Sequence, residues 1–173
     1  MKFSISLTAK ISKINDFMSA NNITICCAES CTGGLLSAAL TAIAGASKIF
    51  DRGFVTYSNQ SKIDLLNVNN EALIKYGAVS KEIASKMACG ALKNSHADIA
   101  IAITGIAGPT GDTANKKIGN VFIAIANKNL TQTFEFNFSG QRNSIRHKTL
   151  NQAIITLENF LIDHYKKNVS SGN

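Results

Sequence analysis

The 173-residue chain has no tryptophan, one proline and four cysteines, and only 11 acidic residues against 18 lysines and arginines. The cysteines are Cys26, Cys27, Cys31 and Cys89. Two are adjacent and three crowd one stretch, a spacing that suits neither a disulfide framework nor a zinc site. They read instead as small buried apolar residues in a reducing compartment. No segment reaches the ~18 apolar residues of a membrane span. The N-terminus carries Lys2, Lys10 and Lys13 without the apolar core of a signal peptide. A cytoplasmic location without membrane attachment is therefore expected. The basic excess, +7, is compatible with an anionic substrate or a nucleic acid. The cations are dispersed, however, with no run longer than the pairs Lys116-Lys117 and Lys166-Lys167, so a nucleic-acid partner is disfavoured. Internal repeats, low-complexity tracts and linkers are also missing. With 45% hydrophobic and 17% charged residues, the length suits one globular domain over 1–173.

What is present is an alternation of helix and strand patterns. Leu7, Ile11, Ile14 and Met18 share one helical face, ended by Asn21-Asn22. The apolar run 23–27 reads as a buried strand, and a helix is expected from about Thr32 to Ile43, with a second short one near Ser47 to Phe50. Gly53 to Tyr57 reads as a strand. Ser58 can cap a helix over 59–66, Glu71 to Tyr76 forms another, and Ser80 caps a third. Asp98 to Thr104, β-branched residues separated by small ones, reads as a central strand buried on both faces. Asn120 to Ala126 and Thr131 to Phe138 form a hairpin, with Phe134, Phe136 and Phe138 on one face, so the sheet must be mixed. The final helix, from about Gln141 to Lys166, carries a continuous apolar stripe, and the tail 169–173 frays. The pattern is that of a layered α/β fold.

Three features stand out as sites for chemistry. Ser30 lies at a strand-to-helix turn, before Gly33-Gly34, where free backbone amides can serve as an oxyanion hole or an anion cradle; a plain tight turn fits equally. Of the histidines, His96 and His164 lack a carboxylate orienter, which disfavours a Ser-His-Asp triad. A lysine is the other base available to a serine, provided that its pKa is depressed. Lys62 is the candidate, although its position alone reads as a solvated surface lysine. The loop from Gly105 to Gly111, holding the only proline, follows a buried strand. That places Thr104 and the loop amides where ligands bind in open α/β sheets, or marks an ordinary flexible loop. Arg142 and Arg146 oppose the dipole at the start of the last helix. Arg146 falls on the apolar stripe and so points inward, toward a ligand anion or toward a partner such as Asp51, Asp64 or Glu29.

Four stretches, Ala28 to Gly34, Gly53 to Asn59, Tyr76 to Ser80 and Thr104 to Pro109, together resemble the CinA carboxy-terminal domain family over about residues 8–166. The resemblance implies a three-layer α/β/α sandwich with a mixed β-sheet, generally a homo-oligomer. Stand-alone members hydrolyse the carboxamide of nicotinamide mononucleotide to nicotinate mononucleotide and ammonia. They are regarded as Ser/Lys amidohydrolases, and no residue cluster in this sequence calls for a metal or cofactor. The family serine, lysine and tyrosine match Ser30, Lys62 and Tyr57, and its arginines match Arg142 and Arg146. Thr32, Gly33, Gly34, Thr104, Gly105 and Gly108 complete the expected substrate contacts, with amides of the 32–34 turn as oxyanion donors. The amino-terminal CinA domain, associated with ADP-ribose pyrophosphatase activity, has no counterpart in these residues. Two stretches depart from the family: Thr110-Gly111-Asp112 where glycines usually follow Gly-Pro, and Asn120 and Phe122 where threonine and tryptophan are common. A serine amidase for another small amide, and a non-catalytic competence- or damage-related binding module, are the alternatives.

Overall fold

The alternation of large and small residues along two central strands dictates how the layers stack. In β3 (Ile99–Gly105) and β4 (Asn120–Ala126), Ile99, Ile101, Ile103, Val121, Ile123 and Ile125 face one side. Ala100, Ala102, Ala124 and Ala126 face the other. The computed structural model describes residues 3–112 and 116–165, so the frayed tail and the Lys166 helix end expected above lie outside the described residues. The five-stranded sheet has the order β2-β1-β3-β4-β5. β1 (Ile25–Glu29) pairs in parallel with β2 (Phe50–Val55) and β3, while β4 and β5 (Thr131–Asn137) add as an antiparallel hairpin. The sheet is therefore mixed, as the hairpin pattern required.

Helices α1 (Ile5–Ala20), α2 (Leu35–Leu40) and α6 (Arg142–Tyr165) cover the isoleucine face. Helices α3 (Asn59–Leu66), α4 (Asn70–Tyr76) and α5 (Lys81–Lys93) cover the alanine face. Each of α3, α4 and α5 begins where its sequence offers a cap: Ser58, Asn69 and Ser80 accept from Ser61, Ala72 and Ile83 amides. Among the described residues no helix is long and apolar enough to cross a membrane.

Local differences from the sequence reading have local causes. The second strand starts at Phe50, because parallel pairing with β1 draws Phe50 and Arg52 into the ladder, with a register shift that passes over Asp51. As an edge strand exposed on both faces, it carries no apolar alternation to announce it. The chain leaves the ladder after Val55, so Tyr57 lies outside the strand. Only Ala46–Lys48 is helical nearby, as a 3₁₀ turn. Gly33 and Gly34 adopt φ of 59° and 89°, so α2 cannot begin before Leu35, and it ends at Leu40. Cys26, Cys27 and Cys31 are buried, but Cys89 is exposed on α5. Phe136 and Phe138 pack against the core, whereas Phe134 is 40% exposed on the edge strand.

The alanine face lets α5 lie close to the sheet, and Gly90 lets α3 lie close to α5. A Cβ on Gly90 would sit 2.0 Å from the Leu66 carbonyl oxygen. Because α3 bears Lys62, this contact sets the height of the lysine. Gly90→Ala gains helix propensity but overpacks that crossing. The net expectation is a loss of about 1–2 kcal/mol, lowering the thermal midpoint by roughly 2–8 °C. Differential scanning calorimetry checks it, and an unchanged or raised midpoint contradicts it.

Candidate active site

Three parallel strands end side by side with β1 in the middle, so the connection from β1 runs to one neighbour, β2, and the connection from β2 crosses over to the other, β3. Such a switch point leaves a crevice at the carboxyl ends of the strands. A cavity of about 450 Å³ occupies it. Ser30, Tyr57, Lys62, Thr104, Gly105, Gly108 and Arg142 line this cavity, whereas Thr32, Gly33, Gly34 and Arg146 do not.

Ser30 is anchored on both sides. Its amide donates to the Ile103 carbonyl (3.0 Å), and its carbonyl accepts from Gly33 (3.1 Å). Glu29, with no exposed surface, turns its carboxylate into the start of α2. It accepts from the Gly34, Leu36 and Ser37 amides (3.0, 3.1 and 2.8 Å) and from the Ser37 hydroxyl (2.7 Å). A buried carboxylate is tolerable here because four donors and the positive helix end compensate its charge. The Gly33 and Gly34 amides proposed for the oxyanion therefore already have acceptors.

Lys62 is 1% exposed, not solvated. Lys62 and Leu66, one helical turn apart, form the inward face of α3. The lysine Nζ donates to the carbonyls of Thr56 (2.8 Å) and Ser58 (3.3 Å) and lies 3.3 Å from Ser30 Oγ. Burial pulls its pKa down from 10.5 to about 8, a fall that the neighbouring Cys31 opposes. Burial also pushes the Cys31 thiol up to about 12, so it stays protonated beside the serine.

Tyr57 is 58% exposed and stands at the rim. Its hydroxyl accepts from Arg142 Nη2 (2.7 Å), while Arg142 Nη1 donates to the Gly108 carbonyl (2.7 Å). Arg142 thus bridges two walls of the cavity. Arg146 points inward as its place on the stripe required, but its partner is neither a carboxylate nor the cavity. Its Nη2 donates to the Thr32 carbonyl (2.7 Å), behind the serine turn.

Thr104 Oγ1 donates to the Ala78 carbonyl (2.8 Å). Of the two departures from the family pattern, Thr110 and Gly111 line the cavity. Asn120 instead donates sideways to Glu135 (2.7 Å) and Asn137 (3.2 Å) on β5.

Sequence reasoning missed Lys116, which lines the cavity and donates to the Tyr76 carbonyl (2.9 Å). It also overlooked the role of Glu29 in holding α2. For Glu29 the available signal was a carboxylate at the end of a strand buried on both faces. Lys62, Lys116 and Arg142 give the cavity three cations, and no Asp or Glu is among the described residues that line it. Among the described residues no cluster of His, Cys, Asp and Glu could hold a metal ion. A larger surface hollow, about 700 Å³, lies at the opposite end of β3, by Asp98 and the β4–β5 turn, away from these groups.

The CinA C-terminal domain model matches residues 7–161. A CinA-like protein of Endomicrobium trichonymphae is 51% identical over 142 residues, 82% of this chain and 33% of that protein. The chain thus spans about a third of the length of several curated relatives that it matches. A protein of Enterobacter agglomerans, named nicotinamide-nucleotide amidohydrolase PncC, is 46% identical over 143 residues, covering 82% of this chain and 85% of its own. The crystal structure of the competence/damage inducible protein CihA from Agrobacterium tumefaciens superposes with a TM-score of 0.89 at 40% identity, over 92% of this chain and 98% of that one. A CinA superfamily protein from Escherichia coli superposes with a TM-score of 0.87 at 32% identity, over 93% and 95%. With its motifs, its fold and most of its length in common with these proteins, the chain belongs to the CinA C-terminal domain family.

Proposed function

We propose that the chain is an amidohydrolase that converts nicotinamide mononucleotide to nicotinate mononucleotide and ammonia, using Ser30 as nucleophile and Lys62 as base. The observation that carries this reading is the setting of the Lys62 amine. A neutral amine has two hydrogens and one lone pair. The Thr56 and Ser58 carbonyls accept the two hydrogens, leaving the lone pair for the Ser30 hydroxyl, 3.3 Å away. A pKa of about 8 keeps a usable fraction neutral near physiological pH.

Ser30 Oγ attacks the carboxamide carbon as its proton passes to Lys62. Lys62 returns that proton to the departing nitrogen, and ammonia leaves an acyl ester on Ser30. Water, deprotonated by Lys62, then attacks the ester and frees the carboxylate and the serine. Because Gly33 and Gly34 amides are engaged, the Cys31 amide, next after the nucleophile, is the leading oxyanion donor. Tyr57 shapes the rim in company with Arg142, whose guanidinium donates to the tyrosine hydroxyl. With Lys62 neutral, the basic side chains Lys116 and Arg142 that also line the cavity suit a phosphate-bearing substrate. This reading is supported by the amidohydrolase name of the Enterobacter relative and by its coverage of both chains. It carries with it a place in pyridine-nucleotide recycling in the cytoplasm and association of the chain with copies of itself.

Ser30→Ala and Lys62→Ala are each expected to lower ammonia release by about a thousandfold or more. Lys62→Arg does not restore it, because a guanidinium stays protonated. Near-wild-type turnover in both alanine variants overturns the mechanism.

With neutral Lys62 as the active form, kcat/KM rises with pH and levels off above an apparent pKa of about 8. The profile is measured by ammonia release, and a flat one from about pH 6 to 9 contradicts the assignment.

Arg142→Met is expected to raise KM for nicotinamide mononucleotide by about tenfold or more while altering hydrolysis of the unphosphorylated riboside little. Equal wild-type rates with and without the phosphate favour the reading as an amidase for another small amide.

A further inference from the structure

The serine turn is held from two sides by opposite charges that do not meet. From the β1 side, the Glu29 carboxylate takes three amides at the start of α2 and the Ser37 hydroxyl. From the α6 side, Arg146 Nη2 donates to the Thr32 carbonyl (2.7 Å). Neither residue lines the cavity. The two charges bracket the turn closely enough that both act on the Cys31 thiol, Glu29 raising its pKa and Arg146 lowering it. No salt bridge joins them among the described residues. Arg146 Nε is buried without a hydrogen-bond partner among those residues. Its fork is thus used through a single donor, unlike a guanidinium gripping a carboxylate or phosphate through two.

We propose that Glu29 and Arg146 form a charge-balanced brace that fixes the Ser30 turn, and that Arg146 is a positioning residue rather than a substrate ligand. The proposal rests on the reading of Ser30 as the nucleophile. Glu29 holds the turn by accepting hydrogen bonds, so Glu29→Gln, isosteric but bearing an NH₂ group toward the same amides, cannot replace it. Arg146 holds it by donating one hydrogen bond from a cation, and Arg146→Lys can.

The experiment follows two readouts on the same proteins. The first is the rate at which a fluorophosphonate labels Ser30, read by intact mass, which reports serine geometry whatever the natural substrate. The second is the ratio of turnover for nicotinamide mononucleotide over its riboside. Arg146→Met and Glu29→Gln are expected to slow labelling and kcat by about ten- to a hundredfold. In Arg146→Met, KM and the mononucleotide-to-riboside ratio stay within about twofold of wild type. Arg146→Lys restores labelling to within about threefold. The brace is overturned if Arg146→Met labels at the wild-type rate, or if it selectively loses the mononucleotide, as a phosphate ligand would. It is equally overturned if labelling falls only in proportion to the unfolded fraction measured by circular dichroism. Wild-type protein that resists labelling, together with an active Ser30→Ala, removes the nucleophile reading and the brace with it. Wild-type protein that labels while Arg146→Met labels as fast removes the brace alone.

Discussion

A lysine amine sunk among neutral carbonyls is the constraint on which the rest of the molecule depends. Among the described residues no carboxylate pairs with Lys62: its hydrogen-bond neighbours are the Thr56 and Ser58 carbonyls and the Ser30 hydroxyl. Burial of an uncompensated cation is unfavourable, and the amine responds by giving up its proton more readily. Such an arrangement persists only if the surrounding structure holds it. Leu66, one turn along α3, is packed into the alanine-side core, and the Ser58 cap fixes where the helix starts. The segment that supplies both carbonyls is tied to β1, because the Thr56 amide donates to the Glu29 carbonyl (2.7 Å).

The same economy governs the opposite partner. Ser30 sits between a strand fixed on both edges and a six-residue helix too short to be stable on its own. Glu29 joins the two, its backbone in the ladder and its carboxylate at the helix start. One residue therefore contacts the nucleophile's turn through its side chain and the lysine's loop through its carbonyl. Around this pair the cavity is lined by Arg142, whose guanidinium donates to the Gly108 carbonyl and the Tyr57 hydroxyl, and by Lys116, which donates to the Tyr76 carbonyl.

Much of this was legible in residue order, and what was not has identifiable causes. The isoleucine-alanine alternation of β3 and the hairpin of β4 and β5 follow from side-chain period, and the helix starts from Ser58 and Ser80. The first residues of β2 escaped because an exposed edge strand bearing Asp51 and Arg52 shows no apolar alternation there. Lys62 read as solvated because Asn59, Gln60 and Asp64 surround it in sequence, and only pairing with Leu66 reveals its inward face. Arg146 was placed inward by its period, but its acceptor is a backbone carbonyl, which no inventory of carboxylates contains. The engaged Gly33 and Gly34 amides depend on Glu29 folding back over the turn. That contact spans a few residues yet is set by tertiary packing, so local pattern does not disclose it.

The alanines of the sheet's second face carry a consequence beyond packing. They and Gly90 determine how near α5 lies to β3 and how near α3 lies to α5. The placement of α3, and with it of the Lys62 amine beside Ser30, therefore depends on two packing contacts, each set by methyl groups and hydrogens away from the cavity. Residues that never touch a substrate thus calibrate the distance between a proton and its acceptor, and small size at those positions is a requirement of the chemistry as much as of the fold.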